Sequence, residues 1–348
     1  MLELDNISLE KLSIHYVGNK SREEGTVLSK KTQSRFPAEE EQVLWKFFLS
    51  PFKNVSEFYR FTHSSDIELN EVRRFVSEAF EEPSKLHKVS EKLAKLLYET
   101  ATHSKINGGE LYVAYLSNCV FDDAEVNAIG IFKSETKDTF IQTETEEGSL
   151  ALRFLSGTNI HKLDKGCLIL ETGGEEEYKV CITGGASNAA DAVYWKDDFL
   201  HLEPCADDYH HTRNFMNVCK TFVTDRLEAD FEVSKTDKIA YLNKSVDYFK
   251  EHETFNEQEF TKEVFEDKNV IKSFKEFKHE YQESNNLDIE EDFEISAPAV
   301  KKQAKVFKSV LKLDKNFHIY IHGRQDFIEK GVEKDGRKFY KIYYNEEN

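Results

Sequence analysis

Four lysines near the C-terminus, Lys301, Lys305, Lys308 and Lys312, recur at a 4-3-4 spacing, with Lys302 beside them. On a helix this spacing forms one row of ammonium groups, which a row of phosphates would match. Like charges at i,i+4 cost a helix about 0.2–0.5 kcal/mol per pair, so the row calls for an anion opposite it. Two anions qualify: a nucleic-acid backbone, or the protein's own acidic surface. Downstream, "NFHIYIHG" alternates, with Phe317, Ile319 and Ile321 on one side and His318, Tyr320 and His322 on the other. Arg324 follows, and then "FIEKGVEKDGRKFYKIYY", in which Asp335-Gly336 signals a two-residue hairpin turn. That register opposes Lys334 to Arg337, Val332 to Phe339 and Lys330 to Lys341, beside Lys338. It gathers Lys330, Lys341 and Phe339 on one face. Basic residues interleaved with aromatics can hold a phosphate backbone and stack bases. A half-buried sheet edge has the same composition without any ligand.

Other residue sets offer less chemistry. Cys205, Asp207, Asp208, His210, His211 and Cys219 are metal-ligating types, but their spacing fits no standard zinc pattern. His211 and Cys219 lie eight apart, two turns along one helix face. An ordinary helix with polar residues explains them, and no metal or cofactor is expected. "TGGASNAAD", 183–191, puts a Gly pair and a Ser before a helix, where phosphate can bind, but a capped turn has the same composition. The phosphate-binding loop, dinucleotide, metalloprotease and nucleophile-elbow patterns are absent from the sequence, so no enzymatic activity is expected.

The elements that must position these residues follow from hydrophobic period. "LEKLSIHYVG" alternates like a strand. Helical stripes then appear around 39–49, 69–80 and 84–99, the last with Ser84 placed to cap it. After Gly108-Gly109 the period changes. "ELYVAYLSNCVF", "EVNAIGIFKSE", "DTFIQTET", "SLALRFLSG", "GCLILET" and "YKVCITGG" read as six strands of one antiparallel sheet. Helices return over 191–226. Ile239, Leu242, Val246 and Phe249, and then Val270, Phe274, Phe277 and Tyr281, form narrow stripes. Such stripes pack within one chain or make a homodimer seam. Ser296 is placed to cap a helix from Ala297 in which Val300, Ala304, Phe307 and Leu311 form one stripe.

The expected fold is α+β: a helical N-terminal block, a central antiparallel sheet, a helical connector and a small C-terminal helix-plus-hairpin unit. The expected division is an α+β domain over 1–228, a connector with an acidic linker over 229–295, and a basic C-terminal α-β unit over 296–348. The 1–228 domain holds helices over 39–103, the antiparallel sheet over 109–184 and helices over 191–226.

Charge separates these parts. The chain has 348 residues and a net charge of -18. Residues 301–348 contain 12 Lys+Arg and 7 Asp+Glu, a net of +5, which leaves -23 for residues 1–300. A body of that charge repels nucleic acid, membranes and other anions, so any anion site must be local and C-terminal. "ESNNLDIEEDFE", 283–294, has six acidic and no basic residues. It is either a solvated linker or an acidic segment that competes with nucleic acid for the basic element after it. Five cysteines without a C-x-x-C pair suit reduced thiols in the cytoplasm. The N-terminus does not read as a signal peptide, and no apolar run is long enough to span a membrane.

"LKLDKNFHIYIHG", followed by a Gly-Val-x-x-x-Gly-x-x-x-Tyr-Lys hairpin, resembles the C-terminus of bacterial nucleoid-associated proteins of the NdpA/YejK type. "GELYVAYLSNCVFDDAEVNAIGIFK" resembles that family's central strand pair. "AVYWKDDFLHLEPCADDYHHTRNFMNVCKTFV" resembles its Tyr-Trp-x-x-x-Phe-Leu segment. The resemblance implies a nucleoid-associated, cytoplasmic protein with no known reaction. The resulting expectation is a non-enzymatic protein that binds DNA through phosphates, with little sequence preference. The alternative is an acidic adaptor that docks on DNA-processing proteins.

Overall fold

Residues 109–134 carry near-continuous apolar runs, "LYVAYL" and "AIGIF", so both faces of their strands must be covered, and helices on each face do so. The computed structural model describes residues 2–4, 7–146, 149–173, 177–184, 193–285, 287, 289–305, 307, 310–313, 317–320 and 327–346. The chain divides into two compact units, Met1–Cys205 and Ala206–Asn348. The residues expected as connector and as C-terminal unit both belong to the second.

The first unit is built on an antiparallel sheet. Its strands are β1 (Leu2–Glu3), β2 (Ser8–Val17), β3 (Thr26–Leu28), β4 (Tyr59–Phe61), β5 (Gly109–Phe121) and β6 (Ala124–Ser134). Next in the chain come β7 (Lys137–Glu146) and β8 (Ser149–Thr158), then β9 (Lys165–Glu171), β10 (Tyr178–Gly184) and β11 (Leu202–Pro204). The sheet order is β11-β4-β10-β9-β6-β5-β2-β3, and β1 pairs with the far end of β5. All six strands expected between 109 and 184 form, but β7 and β8 do not join the sheet. They pair only with each other, as a separate ribbon.

The three N-terminal helices are α1 (Ala38–Leu49), α2 (Glu71–Glu81) and α3 (Leu86–Thr100). Helices α2 and α3 cover one sheet face, burying Val72, Val76, Leu93 and Leu97 against Leu111, Val113, Ile129 and Ile131. Helix α1 covers the other, with Phe48 stacked on Phe132 at 4.5 Å. The Asn70 side chain starts α2 by accepting from the Arg73 N–H at 2.9 Å, so the cap lies one residue inside the expected boundary. Ser84 does not cap α3: it lies in a 3₁₀ turn and its hydroxyl donates to Glu82. The helices expected over 191–226 are separate segments. Residues Val193–Phe199 form a π-helical turn and β11 follows it.

The second unit is a helical cluster around phenylalanines. It comprises α4 (Asp208–Thr221), which runs through a π turn into the short α5 (Leu227–Asp230), then α6 (Lys235–Glu251), α7 (Glu257–Phe265), α8 (Lys268–Asn285) and α9 (Ala297–Ala304). Ser234 and Asp237 form a reciprocal capping box at the start of α6. Phe215 sits at the centre, 4.2 Å from Phe255 and 5.0 Å from Phe260 between ring centroids. Leu242, Val246, Phe249, Val270 and Phe274 are buried in this core. The stripes that suggested a dimer seam on α6 and α8 are therefore covered within the unit, the intrachain alternative. Strands β12 (Thr254–Asn256) and β13 (Asp292–Glu294) pair, setting Phe255 opposite Phe293. The acidic stretch 283–294 is thus anchored: Ile289 and Phe293 are buried while Glu283, Glu290, Glu291, Asp292 and Glu294 stay at the surface. Four further strands end the chain: β14 (Val310–Leu313), β15 (Phe317–Tyr320), β16 (Ile328–Val332) and β17 (Lys338–Ile342). Leu313, Ile319, Ile328 and Tyr340 pack on Ile239 of α6.

Candidate nucleic-acid interface

The lysine row does not lie on one helix. Helix α9 ends at Ala304, with Lys305 as its C-cap, and 310–313 is a strand. Lys301 and Lys302 are on α9, Lys305 closes it, and Lys312 is on β14. Lys308, His322 and Arg324 lie outside the described residues. Sequence spacing failed here because Val300, Ala304, Phe307 and Leu311 fit a helical stripe while Leu311 and Leu313 also fit a strand. Pairing with Phe317–Tyr320 decides for the strand. It sets Leu311 opposite Ile319 and Lys312 opposite His318. The Lys312 and His318 positions alternate with those of Leu313 and Ile319, which face Ile239. Ser296 stands at the N-cap of α9 but its hydroxyl makes no cap bond. Its N–H donates to the Thr212 hydroxyl at 3.0 Å. Ala299, Val300 and Gln303 form the buried side of α9, and Lys301, Lys302 and Lys305 are exposed.

The second hairpin is one residue out of the expected register. Lys330 opposes Tyr340, Glu329 opposes Lys341, and Val332 opposes Lys338. Lys330 and Lys341 are therefore not opposed, and Lys330 lies on the opposite face from Lys341 and Phe339. The connection is a three-residue loop, Lys334-Asp335-Gly336, rather than a two-residue one. Gly336 has φ +85, the left-handed position that such a loop requires. The shift exchanges a lysine–lysine opposition for a lysine–glutamate pair, with Lys341 Nζ 3.9 Å from Glu329. Phe339 is no base-stacking platform, because its ring lies across Gly331, where a Cβ would come within 2.2 Å of it. The aromatic that meets a cation is Tyr343, under Lys341 Nζ at 4.8 Å, and Tyr344 beyond it is exposed. The sequence pass stopped short of these two tyrosines, although "KIYY" carries the same basic–aromatic signal. Tyr343 and then Glu329 hold the Lys341 ammonium above its ordinary pKa.

Some lysines of the body have carboxylate partners, as Lys92 with Glu78 at 2.7 Å, Lys238 with Glu228 at 2.6 Å, and Lys137 with Glu110, while others, such as Lys30, Lys31, Lys95 and Lys105, have none among the described residues. Among the described residues, Lys301, Lys305, Lys330 and Lys338 have no ion pair. Arg337 is held by Asp335 at 2.6 Å. Lys302 lies 5.8 Å over the Tyr209 ring. An open groove of about 740 Å³ runs beside α9, where Lys250, His252 and Lys301 face Glu253 and Glu294.

The remaining candidates separate. Cys219 contacts the Ser245 hydroxyl at 3.1 Å, while His211 stacks on Phe293 with ring centroids 5.7 Å apart. Among the described residues no His/Cys/Asp/Glu group could hold a metal ion. Of "TGGASNAAD", residues 185–191 lie outside the described residues. One buried set was not foreseen. Lys133 and Lys165 both reach Glu135 Oε1, at 3.0 and 2.6 Å, and lie 5.5 and 6.0 Å over the Tyr194 ring. Nearby, Asp164 accepts from the N–H groups of Glu135 and Thr136. Burial raises its pKa, but the bonds from Thr136 and Glu135 outweigh it and hold the carboxyl below its ordinary range. Nothing in the sequence marks the set, because its members are brought together only by the sheet. The set clamps the ends of β6 and β9.

Residues 13–337 match the family described as nucleoid-associated protein YejK. The chain belongs to this family. The match spans the sheet, the helical cluster and the C-terminal strands, so the resemblance seen in three separate segments extends through most of the chain. Among curated proteins, the chain has no significant match. Membership makes a nucleoid-associated role the family-level description of the chain. No helix among the described residues is long and apolar enough to cross a membrane.

Proposed function

We propose that the chain is a non-enzymatic, cytoplasmic bacterial protein that binds duplex DNA at the nucleoid, gripping phosphates with its C-terminal residues 296–348. One observation carries this reading. In a chain of net charge -18, the exposed lysines Lys301, Lys305, Lys330 and Lys338 have no carboxylate partner among the described residues. The body leaves some of its own lysines unpaired too, but its net charge is -23 over residues 1–300, whereas these four lie in a segment of net +5 over 301–348. Cations kept apart from that acid support an external anion as their partner. Lys312 and His318 belong to the same segment by strand position, as do Lys341, beside Glu329, and Arg337, beside Asp335 at the hairpin turn. Lys308, His322 and Arg324 belong to the same segment.

Phosphate contacts carry no base information, so two unrelated duplexes of equal length are expected to bind within a few-fold of each other. Anisotropy titrations of the full chain at low salt test this. A large preference for one duplex, or no binding to either, counts against the proposal. A second reading is an adaptor whose body, -23 over residues 1–300, docks on basic faces of DNA-processing proteins. That reading requires no DNA affinity of the chain itself. As a homodimer, the chain would present two basic segments to one duplex, which strengthens a contact that a single acidic body weakens.

A further inference from the structure

The ribbon of β7 and β8 leaves the sheet and carries an apolar face with nothing of its own unit against it. The pairs Ile141–Phe154, Thr143–Leu152 and Thr145–Leu150 stand side by side on that face. Ile141 is 64% exposed, Leu152 61%, Phe154 68% and Leu150 77%. Thr139 and Ser156 on this face are uncharged as well, and Lys137, opposite Thr158 at its base, is paired with Glu110. The opposite face has its own partners: the Phe140 ring lies over Gly157, and Glu144 pairs with Arg153 at 2.7 Å. The base is fixed by Lys137 donating to the Thr158 hydroxyl at 2.8 Å and Asn159 donating to Asp138 at 2.6 Å. The ribbon is thus a built element whose apolar pairs on this face are more exposed than Phe140 and Leu155 on the other, at 45% and 47%, and a lone two-stranded ribbon is marginal in water.

We propose that a second copy of this chain covers this face, ribbon against ribbon about a two-fold axis. The inference rests on the homodimer reading above and names its interface. At ~200 Å² per large side chain, the four exposures amount to on the order of 500 Å² of apolar surface. With the flanking Thr and Ser this approaches the ~800 Å² per partner of a stable interface, and its apolar part alone lies towards the top of the ~300–600 Å² of the largest patch on a typical monomer, a size that often marks function. Charge selects the occupant. The ribbon has four acidic and two basic residues, so DNA is repelled from it. A second body of charge -18 meets least repulsion where neither surface is acidic, and this face carries no carboxylate, its one charge being Lys137 at the base, paired with Glu110. A two-fold pairing needs a self-complementary surface, which large residues alternating with threonines provide.

Sedimentation of the full chain, wild type and Phe154→Glu, tests the interface together with cross-linking of Thr143→Cys by a short bis-maleimide. The native thiols are all buried, so the introduced one reacts selectively. The wild type is expected to sediment as a dimer, and Phe154→Glu to raise its dissociation constant at least ~30-fold with an unchanged circular dichroism spectrum. Thr143→Cys is expected to cross-link between copies. A wild type that is monomeric at tens of micromolar overturns both the interface and the homodimer reading. A dimer that survives Phe154→Glu and does not cross-link through Thr143→Cys overturns the ribbon alone. If Phe154→Glu does not fold, the cross-link decides: its presence supports the interface and its absence overturns it.

Discussion

His15 is buried on β2 with both ring nitrogens engaged. Nδ1 accepts from the Ser29 N–H at 3.1 Å, which leaves Nε2 to donate to the Ser90 hydroxyl at 2.8 Å. Burial, followed by the neighbouring His87, lowers its pKa to about 4. The unfolded chain takes up a proton near pH 6.5 and the folded chain does not, so folding weakens as pH falls from 6.5 to 4. The loss from this group is about 3 kcal/mol. Urea denaturation at pH 7 and pH 4.5 checks it, because His15→Gln is expected to lose less stability on acidification than the wild type. A second residue-level test concerns Glu257 and Lys278, an ion pair in which both side chains are buried. Glu257→Gln leaves the Lys278 charge without its counter-ion and is expected to cost about 3–5 kcal/mol, whereas Glu257→Gln with Lys278→Met costs less. Equal losses in the two variants would show that the pair is not a coupled unit. The five cysteines are also buried, which pushes the Cys119 and Cys219 thiols up to about 12. Their alkylation in native buffer is expected to track global unfolding, and a thiol that reacts rapidly in the folded state would contradict the packing described.

Elements were legible in the sequence where one period dominated. The helices at 38–49, 71–81 and 86–100 and the six strands between 109 and 184 carry unambiguous patterns, and they form. Two things were not legible. The first is where a short apolar run changes period: the stripe from Val300 to Leu311 fits a helix, yet α9 ends at Ala304 because 310–313 finds a strand partner beyond it. The second is register. Asp335-Gly336 fits both a two- and a three-residue loop, and only the cross-strand pairs distinguish them, by relieving the lysine opposition. The buried Lys133–Glu135–Lys165 set was invisible for a related reason, since its members lie on β9 and on or just after β6 and meet only in the sheet. The hairpin register makes a test of its own. Gly331→Ala puts a Cβ against the Phe339 ring, so it is expected to lower hydrogen-exchange protection across 328–342 while leaving the 109–134 strands protected. Unchanged protection would mean that the ring is free to move, and that Phe339 is open to stack on a base after all.

At the scale of the whole molecule, the separation of charge is the organising fact. An acidic body keeps the chain soluble and repels polyanions, so any grip on DNA has to come from cations that the body leaves unneutralised. Lys301 and Lys305 at the end of α9, and Lys330 and Lys338 on the last hairpin, are such cations. If each meets one phosphate, log K against log salt has a slope of about -3.6 on duplex DNA. The most direct measurement is that slope for the full chain and for Lys301→Glu/Lys305→Glu, with thermal stability recorded on the same samples. The account predicts weaker binding to every duplex, a slope shallower by about 1.8, and unchanged stability. A variant with the wild-type slope and affinity, or one that loses stability while DNA binding is unaffected, would contradict it.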